Sequence, residues 1–511
     1  TTIASADLTT TASGAIEVDE TDSIELTRVT TADGSIGVTA GGPITATSVT
    51  SSTDSDTNDI RLTTTVGDIS VAAILAGSSG GVTLTSAAAI SEDGDPATVI
   101  TADELIATAG GAITLDTQVA SANLTISGAG SIDLDESDAI TLSNVTTQDG
   151  NIDVDAGAMT VLTITAGSES DVVLTSSGSI TEDEMPSTDV TAYQLTAMAA
   201  GHVTLHTSVV LAGISTTATG DIRIHDSDAI TLTDVTAGDG SVTITTEGTL
   251  TATSVISTTD TDSNDITLTA IGDIEVGLID AGLAGDVLIN ASGAITADDT
   301  DLVEVTADQL TATAGGSITL DTTIASADLT TTASGAIEVN ETDSIELTRV
   351  TTADGSIGVT AGGPITAILV TSQTDSDAND IHLTTTTGSI SVVSISAGFV
   401  GDVSLTSAGA ISEDGTDSIE VTADVLTAVS SGAITLDTAV GSVNITTTAT
   451  GPIDLDETDG IQLENITIHD GSIDVTAGGP ITATSVTSAT DSDTNDISLT
   501  TMSGDMGVVT I

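Results

Sequence analysis

The pattern that predicts the fold is clearest in residues 14–46, which read GAIEVDETDSIELTRVTTADGSIGVTAGGPITA. Short segments such as SIELT and PITAT alternate aliphatic with polar or small residues. An alternation with period two places successive side chains on opposite faces of a β-strand. Turn-forming sequences such as ADG and AGG separate the segments. Ile16 and Ile24 return 20 residues later as Ile36 and Ile44, so each strand has a counterpart one short period further along the chain.

The same pattern continues through all 511 residues and is organised into longer repeats. Residues 4–74 return at residues 325–395 with all but ten of 71 positions identical. Copies begin near residues 4, 120, 212, 325 and 441, and the last copy is incomplete. We therefore predict one continuous repeat domain over residues 1–511.

A period of about 20–24 residues with a single aliphatic stripe predicts an all-β fold in which successive coils stack as a parallel β-solenoid. One coil cannot bury its aliphatic face, whereas a stack aligns Ile, Val, Leu and Ala in a continuous core. About 23 to 25 coils stacked roughly 4.8 Å apart would form a rod on the order of 110 to 120 Å long. The alternative is a string of Ig-like β-sandwiches, but the chain has no Trp and no Cys to anchor such cores.

The composition excludes several classes of function. The chain has 76 acidic residues against 4 Lys and Arg, a formal net charge of -72, so it would repel nucleic acids and anionic lipids. It has no Cys, which excludes disulfides and thiolate metal sites. A mean hydropathy of +0.31 and the regular aliphatic spacing argue against disorder. No apolar run approaches the roughly 18 to 20 residues of a membrane span. We expect no nucleic-acid partner and no membrane insertion.

A tandem G-x-I-x-L/V pattern occurs at residues 14–18, 111–115, 316–320 and 432–436. Together with the coil period, this pattern resembles the repeat region of filamentous-haemagglutinin-like adhesins and other giant bacterial surface proteins. The resemblance extends over essentially the whole chain, in composition and spacing. It implies a right-handed parallel β-helix on the outside of a cell, serving as a stalk, fibre or adhesive rod. The high acidity departs from that family.

Three acidic boxes recur in register with the repeats. The first box joins two strands and comprises residues 19–22, 135–138, 225–228, 340–343 and 456–459. The third box follows an AIS or SIT strand and comprises residues 92–95, 182–184, 298–301 and 413–417. Because neighbouring carboxylates repel one another, each box needs a partner that offsets its charge.

The second box has the sequence D-x-D-x-N and supplies the predicted metal ligands. These are Asp54, Asp56, Asn58, Asp260, Asp262, Asn264, Asp375, Asp377, Asn379, Asp491, Asp493 and Asn495. The box matches the first three oxygen-ligand positions of a calcium-binding loop, which makes Ca²⁺ the candidate cofactor. Asp59, however, stands where that loop requires Gly, and Thr65 stands where it requires a bidentate Glu. The alternative is that these residues close Asx-turns in solvent.

His202 and His206 form the one closely spaced histidine pair in the sequence. Residues four apart on a strand share a face, so the pair could coordinate a metal, but the sequence places no third ligand. Paired carboxylates could also serve glycoside hydrolysis. A catalytic site is normally unique, whereas these boxes recur, and the chain contains only one Tyr and one Phe for a sugar platform. We therefore predict no enzymatic activity and no catalytic residue.

These observations predict an extracellular structural repeat protein that forms an acidic rod or filament, as a stalk, fibre or surface coat. Open strand edges invite pairing with another chain. The expected partners are therefore further copies stacked end to end into fibres, and the cell surface or extracellular matrix. We expect the chain to be a segment of, or a subunit in, a longer assembly. The alternative is an adhesin that recognises a glycan or surface ligand with the help of calcium.

Overall fold

A computed structural model of the protein describes residues 3–94, 100–183, 185, 187–298, 303–416, 418–490, 492–493 and 495–511. In these residues the regular elements are β-strands, numbered β1–β53 in chain order, and no helix occurs. No helix of the described residues could therefore span a membrane. The chain divides into two compact units, Thr1–Gly248 and Thr249–Ile511.

The strands of the first unit are mostly three to ten residues long. They are β1 (Ser5–Ser13), β2 (Ile16–Glu20), β3 (Ile24–Asp33), β4 (Ile36–Ala40), β5 (Ile44–Ala46), β6 (Val49–Ser51), β7 (Ile60–Thr64), β8 (Ile69–Val71), β9 (Ile74–Leu75), β10 (Val82–Ser86), β11 (Ile90–Glu92), β12 (Ile100–Ala109), β13 (Ile113–Ile126), β14 (Ile132–Glu136), β15 (Ile140–Thr146), β16 (Ile152–Ala156), β17 (Met159–Val161), β18 (Ile164–Thr165), β19 (Asp171–Ser176), β20 (Ile180–Glu182), β21 (Val190–Ala199), β22 (Val203–Thr219), β23 (Ile222–Asp226), β24 (Ile230–Asp239) and β25 (Val242–Thr246).

The second unit contains strands of the same kinds. They are β26 (Leu250–Ala252), β27 (Val255–Ser257), β28 (Ile266–Ala270), β29 (Ile274–Val276), β30 (Ile279–Asp280), β31 (Val287–Ala291), β32 (Ile295–Ala297), β33 (Val305–Ala314), β34 (Ile318–Ser334), β35 (Ile337–Glu341), β36 (Ile345–Asp354), β37 (Ile357–Ala361), β38 (Ile365–Ala367), β39 (Val370–Ser372), β40 (Ile381–Thr385), β41 (Ile390–Val392), β42 (Ile395–Ser396), β43 (Val403–Ser407), β44 (Ile411–Ser412), β45 (Val421–Ser430), β46 (Ile434–Thr447), β47 (Ile453–Glu457), β48 (Ile461–Ile468), β49 (Ile473–Ala477), β50 (Ile481–Ala483), β51 (Val486–Ser488), β52 (Ile497–Thr501) and β53 (Met506–Val508).

Three short strands form one turn of the first unit, as β16, β17 and β18 illustrate. Each pairs in parallel with its counterpart in the next turn, β19, β20 and β21 respectively. Ile152 lies opposite Val172, and Ile164 lies opposite Val190. The turns therefore stack in register along three parallel ladders.

The second unit is built in the same way. Strands β37, β38 and β39 pair in parallel with β40, β41 and β42. The prediction of an all-β parallel solenoid is confirmed, with about 24 turns in all. Parallel pairing also removes the Ig-like alternative, because those sandwiches are built from antiparallel sheets. The right-handed sense and a single domain over residues 1–511 stay predictions.

The core consists of aliphatic columns that run through the stacked turns. Ile132 lies opposite Ile152, which lies opposite Val172, and each of these side chains is at most 1% exposed. Burying such a side chain contributes roughly 1.5–3 kcal/mol relative to leaving it exposed. The alternating aliphatic residues of the sequence therefore form the columns inside the solenoid, and the intervening polar residues lie at the surface.

Candidate functional site

The acid at the second position of each first box is buried where one strand turns into the next. These acids are Glu20, Glu136, Asp226, Glu341 and Glu457. Asp226 uses both of its carboxylate oxygens: Oδ2 accepts from Thr207 Oγ1 at 2.7 Å and from the Val209 amide at 3.1 Å, and Oδ1 accepts from the Asp228 amide at 2.9 Å. Burial raises the pKa of Asp226, and these hydrogen bonds oppose the rise. The carboxylate joins one turn of the solenoid to the preceding one.

The same arrangement recurs in the second unit, where Glu341 takes the place of the aspartate. Its Oε2 accepts from Thr322 Oγ1 at 2.8 Å and from the Ile324 amide at 3.0 Å. Its Oε1 accepts from the Asp343 amide at 3.1 Å. The first box is therefore a structural clamp, and its buried acid has protein donors for both oxygens.

The asparagine of the second box closes a turn. Asn379 is buried, and its Nδ2 donates to the Thr374 carbonyl at 2.9 Å and to Asp354 Oδ1 at 2.9 Å. Asn58 and Asn495 make the corresponding pair of bonds, and Asn264 donates to the Thr259 carbonyl. The predicted third metal ligand thus has a structural role in all four boxes.

The first aspartate of the second box binds backbone of the following turn. Asp375 Oδ1 accepts from the Val400 amide at 2.8 Å. The turn passes so close that a Cβ on Gly398, which has a φ of +82°, would lie 2.4 Å from that oxygen, so only glycine fits. Asp54 and Asp260 make equivalent bonds.

The middle aspartates of the second boxes, Asp56, Asp262, Asp377 and Asp493, are exposed. Asp491 lies outside the described residues. The flanking positions that the structure describes are thus already engaged in hydrogen bonds, which join neighbouring turns or close a longer loop, and the Asx-turn alternative stays a prediction. The Ca²⁺ assignment stays a prediction.

Columns of acids run along one face of the first unit. Asp133 lies opposite Asp153, and Asp135 lies opposite Asp155, in the parallel pairing of β14 with β16. Burial raises the pKa of Asp133 and of Asp153, and the nearby carboxylates, Asp135 foremost, raise both further. Like charges are thus stacked in register on the surface.

A more compact group, here called the histidine cluster, consists of Glu182, Asp189 and His206. Glu182 ends β20, Asp189 directly precedes β21, and His206 lies in β22. One ligand atom from each residue lies within 4.8 Å of the other two. His206 Nδ1 contacts Glu182 Oε2 and lies 3.8 Å from Asp189 Oδ2. Glu182 and Asp189 are therefore the acids beside His206 that sequence reasoning did not find.

Asp189 is the buried member of the histidine cluster, with a relative exposure of 0%. Its Oδ2 accepts from the His206 amide at 2.8 Å. Burial raises the pKa of Asp189 to about 6, although that amide opposes the rise. Its Oδ1 is buried and has no hydrogen-bond partner within the described part of the chain.

The histidine cluster borders a shallow surface groove of about 210 Å³. Glu182 and His206 line the groove together with Arg223 and His225. The His225 ring lies edge-to-face with His206, with their centroids 5.3 Å apart. Within the histidine cluster, Asp189 is thus buried, whereas Glu182 and His206 border the open groove.

The second unit has an acid cluster at the equivalent corner, formed by Glu413, Glu420 and Asp437. Glu420 is fully buried. Its Oε2 accepts from the Asp437 amide at 2.7 Å, and its Oε1 accepts from Ser418 Oγ at 3.4 Å. Burial, together with the charges of Asp437 and Glu413, raises the pKa of Glu420 to about 7. The backbone arrangement matches that of the histidine cluster, with Asp437 in place of His206.

A third copy of this corner contains Glu304, which is buried and accepts from the Asp321 amide at 2.6 Å. The buried acid precedes V-T-A in all three copies, as Asp189, Glu304 and Glu420. Aligning the repeats on V-T-A would have revealed this position from the sequence. In the first repeat the position is Val99, outside the described residues, as are Asp95, Glu184, Asp299, Asp301 and Asp417 of the third boxes.

His202 does not take part in the contacts of the histidine cluster described above. Its side chain is 56% exposed, and its Nδ1 accepts from the Asp221 amide at 2.9 Å. The two histidines predicted as a pair therefore have different environments.

No protein-family model, no curated protein and no solved structure matches this chain.

Proposed function

We propose that the protein is an extracellular structural protein, not an enzyme, that forms or belongs to an acidic filament, stalk or surface coat. The observation that best supports this proposal is that the recurring polar residues make structural hydrogen bonds. Asp226 and Asn379 join or close turns instead of facing a cleft. A stack of such turns gains length with each repeat while keeping the same surface chemistry, which suits a spacer or fibre.

The extracellular setting and the closer assignment to filamentous-haemagglutinin-like surface proteins rest on the resemblance of the repeat pattern. The net charge of -72 is compatible with that setting, because strongly charged surfaces repel one another and stay soluble at high density. A coat or fibre exposed to the medium needs this property.

End-to-end association of copies is part of the proposal. The last strand, β53, leaves Met506 and Val508 about 40% exposed. Apolar side chains on an accessible strand edge favour pairing with a further strand. A further turn of the same kind could cover them through the same parallel ladder that joins turns within each unit.

Light scattering over a series of protein concentrations, combined with electron microscopy, tests the proposed assembly. We expect the mean mass to rise with concentration and filaments to appear with the strand repeat of about 4.8 Å. The substitution Val508→Lys should suppress this growth, because lysine on a strand edge blocks pairing. Val66→Lys is the matched control, since Val66 is 66% exposed in a turn.

A constant monomer mass at every concentration would contradict the filament proposal. Calcium-dependent binding to a glycan or matrix protein by that monomer would favour an adhesin instead. Equal assembly of wild-type protein and Val508→Lys would show that growth does not proceed through β53.

A further inference from the structure

We propose that Glu182, Asp189 and His206 bind one divalent transition-metal ion of the Zn²⁺ class. The three residues come from two successive turns of the first unit, and their ligand atoms lie within 4.8 Å of one another. His206 Nδ1 lies 3.8 Å from Asp189 Oδ2 and contacts Glu182 Oε2. A cation between them would lie close to one nitrogen and two carboxylate oxygens.

The unpartnered oxygen of Asp189 independently indicates a ligand. Asp189 Oδ1 is fully buried and has no hydrogen-bond partner among the described residues. Buried carboxylate oxygens without a partner are costly and rare in folded proteins. Asp226, also buried and also bonded to β22, has a donor for each oxygen. A cation bound through Asp189 Oδ1 supplies the missing partner, while Oδ2 keeps its hydrogen bond from the His206 amide.

The donor set selects the class of cation. One imidazole nitrogen and two carboxylates are ligands that Zn²⁺ accepts, whereas Ca²⁺ and Mg²⁺ prefer oxygen ligands. The groove that borders Glu182 and His206 leaves room for a water molecule as the fourth ligand, which is usual at open zinc sites.

The structure also provides an internal reference for the role of the histidine. The acid cluster places Glu413 and Glu420 as the histidine cluster places Glu182 and Asp189, but its third member is Asp437. Its buried acid, Glu420, has hydrogen-bond donors for both oxygens. We therefore expect the transition-metal site at the histidine cluster and not at the acid cluster.

Cobalt titration of the full-length chain tests the site. The protein is first stripped with a chelator and then titrated in millimolar Ca²⁺ and Mg²⁺, which occupy exposed carboxylates. We expect one equivalent of Co²⁺ to give the visible absorption of a four-coordinate site, and Zn²⁺ to displace it. Loss of an outer-shell partner already weakens metal binding by about 10- to 100-fold, so the ligand substitutions His206→Asn and Glu182→Gln should weaken it by at least about 100-fold.

Two further variants serve as controls. His202→Asn removes an exposed histidine that directly precedes the same strand and should leave Co²⁺ binding unchanged. Asp437→His, made in the His206→Asn background, gives the acid cluster the same donor types around a buried acid whose two oxygens already have donors, so it should not restore a Co²⁺ site. Far-UV circular dichroism checks that each variant is folded. If His206→Asn does not fold, Glu182→Gln alone tests the site.

Wild-type protein that shows no visible band would overturn the proposal and leave His206 as a hydrogen-bond partner of Glu182. A band that survives both His206→Asn and Glu182→Gln would also overturn it, because the metal would then be bound elsewhere. Neither result depends on whether the chain forms filaments.

Discussion

Two buried aspartates contact the same strand, β22, and differ in how their oxygens are used. Asp226 receives hydrogen bonds on both oxygens, from Thr207, Val209 and Asp228. Asp189 receives one on Oδ2, from the His206 amide, and none on Oδ1 among the described residues. Both side chains are 0% exposed.

The difference separates structural acids from acids that are available to a ligand. Burial raises the pKa of both aspartates, so neither burial nor charge distinguishes them. The number of protein donors does, because a carboxylate with all its partners gains nothing from a cation, whereas one with a free oxygen does. The role of an acidic residue in this protein therefore follows from the hydrogen bonds that its carboxylate receives. The large number of acids in the sequence does not reveal that role.

The largest expected effect is on the free energy of unfolding of the turns around β22. Asp226→Ala removes the acceptor of three hydrogen bonds and leaves the Val209 amide buried without a partner, at a cost of about 3 kcal/mol. Asp189→Ala removes one bond together with an unpaired oxygen, at a cost of about 1 kcal/mol in the presence of a chelator. Hydrogen exchange of the amides in β22 and β23 measures both local free energies.

The two substitutions are matched, since each removes the same carboxylate from a fully buried site. Equal losses of protection would contradict the distinction between the aspartates. A larger loss for Asp189→Ala than for Asp226→Ala would reverse it.

A smaller effect is expected on the pH dependence of stability at the acid cluster. The pKa of Glu420 is about 7 in the folded protein, against 4.5 for an ordinary glutamate. The folded state therefore holds a proton that the unfolded state has lost between these values. The stability contributed by Glu420 is fully present below about pH 4.5 and is lost as the pH rises towards 7. For Asp189, whose pKa in the folded protein is about 6, the corresponding loss of stability is complete at a lower pH.

Melting temperatures from pH 5 to pH 8 check this expectation in chelator. Glu420→Gln cannot release a proton and keeps a side-chain oxygen for the Asp437 amide, so its melting temperature should fall less than that of wild-type protein. Asp424→Asn removes an exposed acid from β45 and should follow the wild-type curve. A Glu420→Gln curve parallel to wild type would show that Glu420 does not titrate in this window.

The smallest effect is expected at the exposed middle position of the second box. Asp377 is exposed, while Asp375 and Asn379 on either side are hydrogen-bonded. Asp377→Ala should therefore change the free energy of unfolding by less than about 0.5 kcal/mol in chelator. Repeating the melting curves with added Ca²⁺ separates the two interpretations of the box. A rise in melting temperature that Asp377→Ala abolishes would establish the calcium site.

The fold was predictable because its two periods are local properties of the sequence. Ile16 and Ile24, chosen from spacing alone, lie opposite Ile36 and Ile44 in the parallel ladders. The number of strands in a turn was not predictable. Strand β18 (Ile164–Thr165) has only two residues, so the sequence shows no period-two alternation there.

The histidine cluster was only half predictable. His206 stands out in the sequence as a rare residue type, but Asp189 does not stand out among 76 acids. Asp189 and Glu182 lie 17 and 24 residues before His206, so no short local motif links them in the sequence. They meet because the turns stack, and the segment between them keeps its length but changes its sequence from one repeat to the next.

The in-register aspartates on β14 and β16 give the first unit a property of linear polyelectrolytes. Asp133 and Asp153 occupy neighbouring strands, which lie about 4.8 Å apart, and two unit charges at that distance repel by roughly 0.9 kcal/mol even in water. This exceeds the thermal energy of about 0.6 kcal/mol, so mobile cations accumulate along the column. The hydration and osmotic swelling of a layer of such molecules would then follow the salinity of the medium.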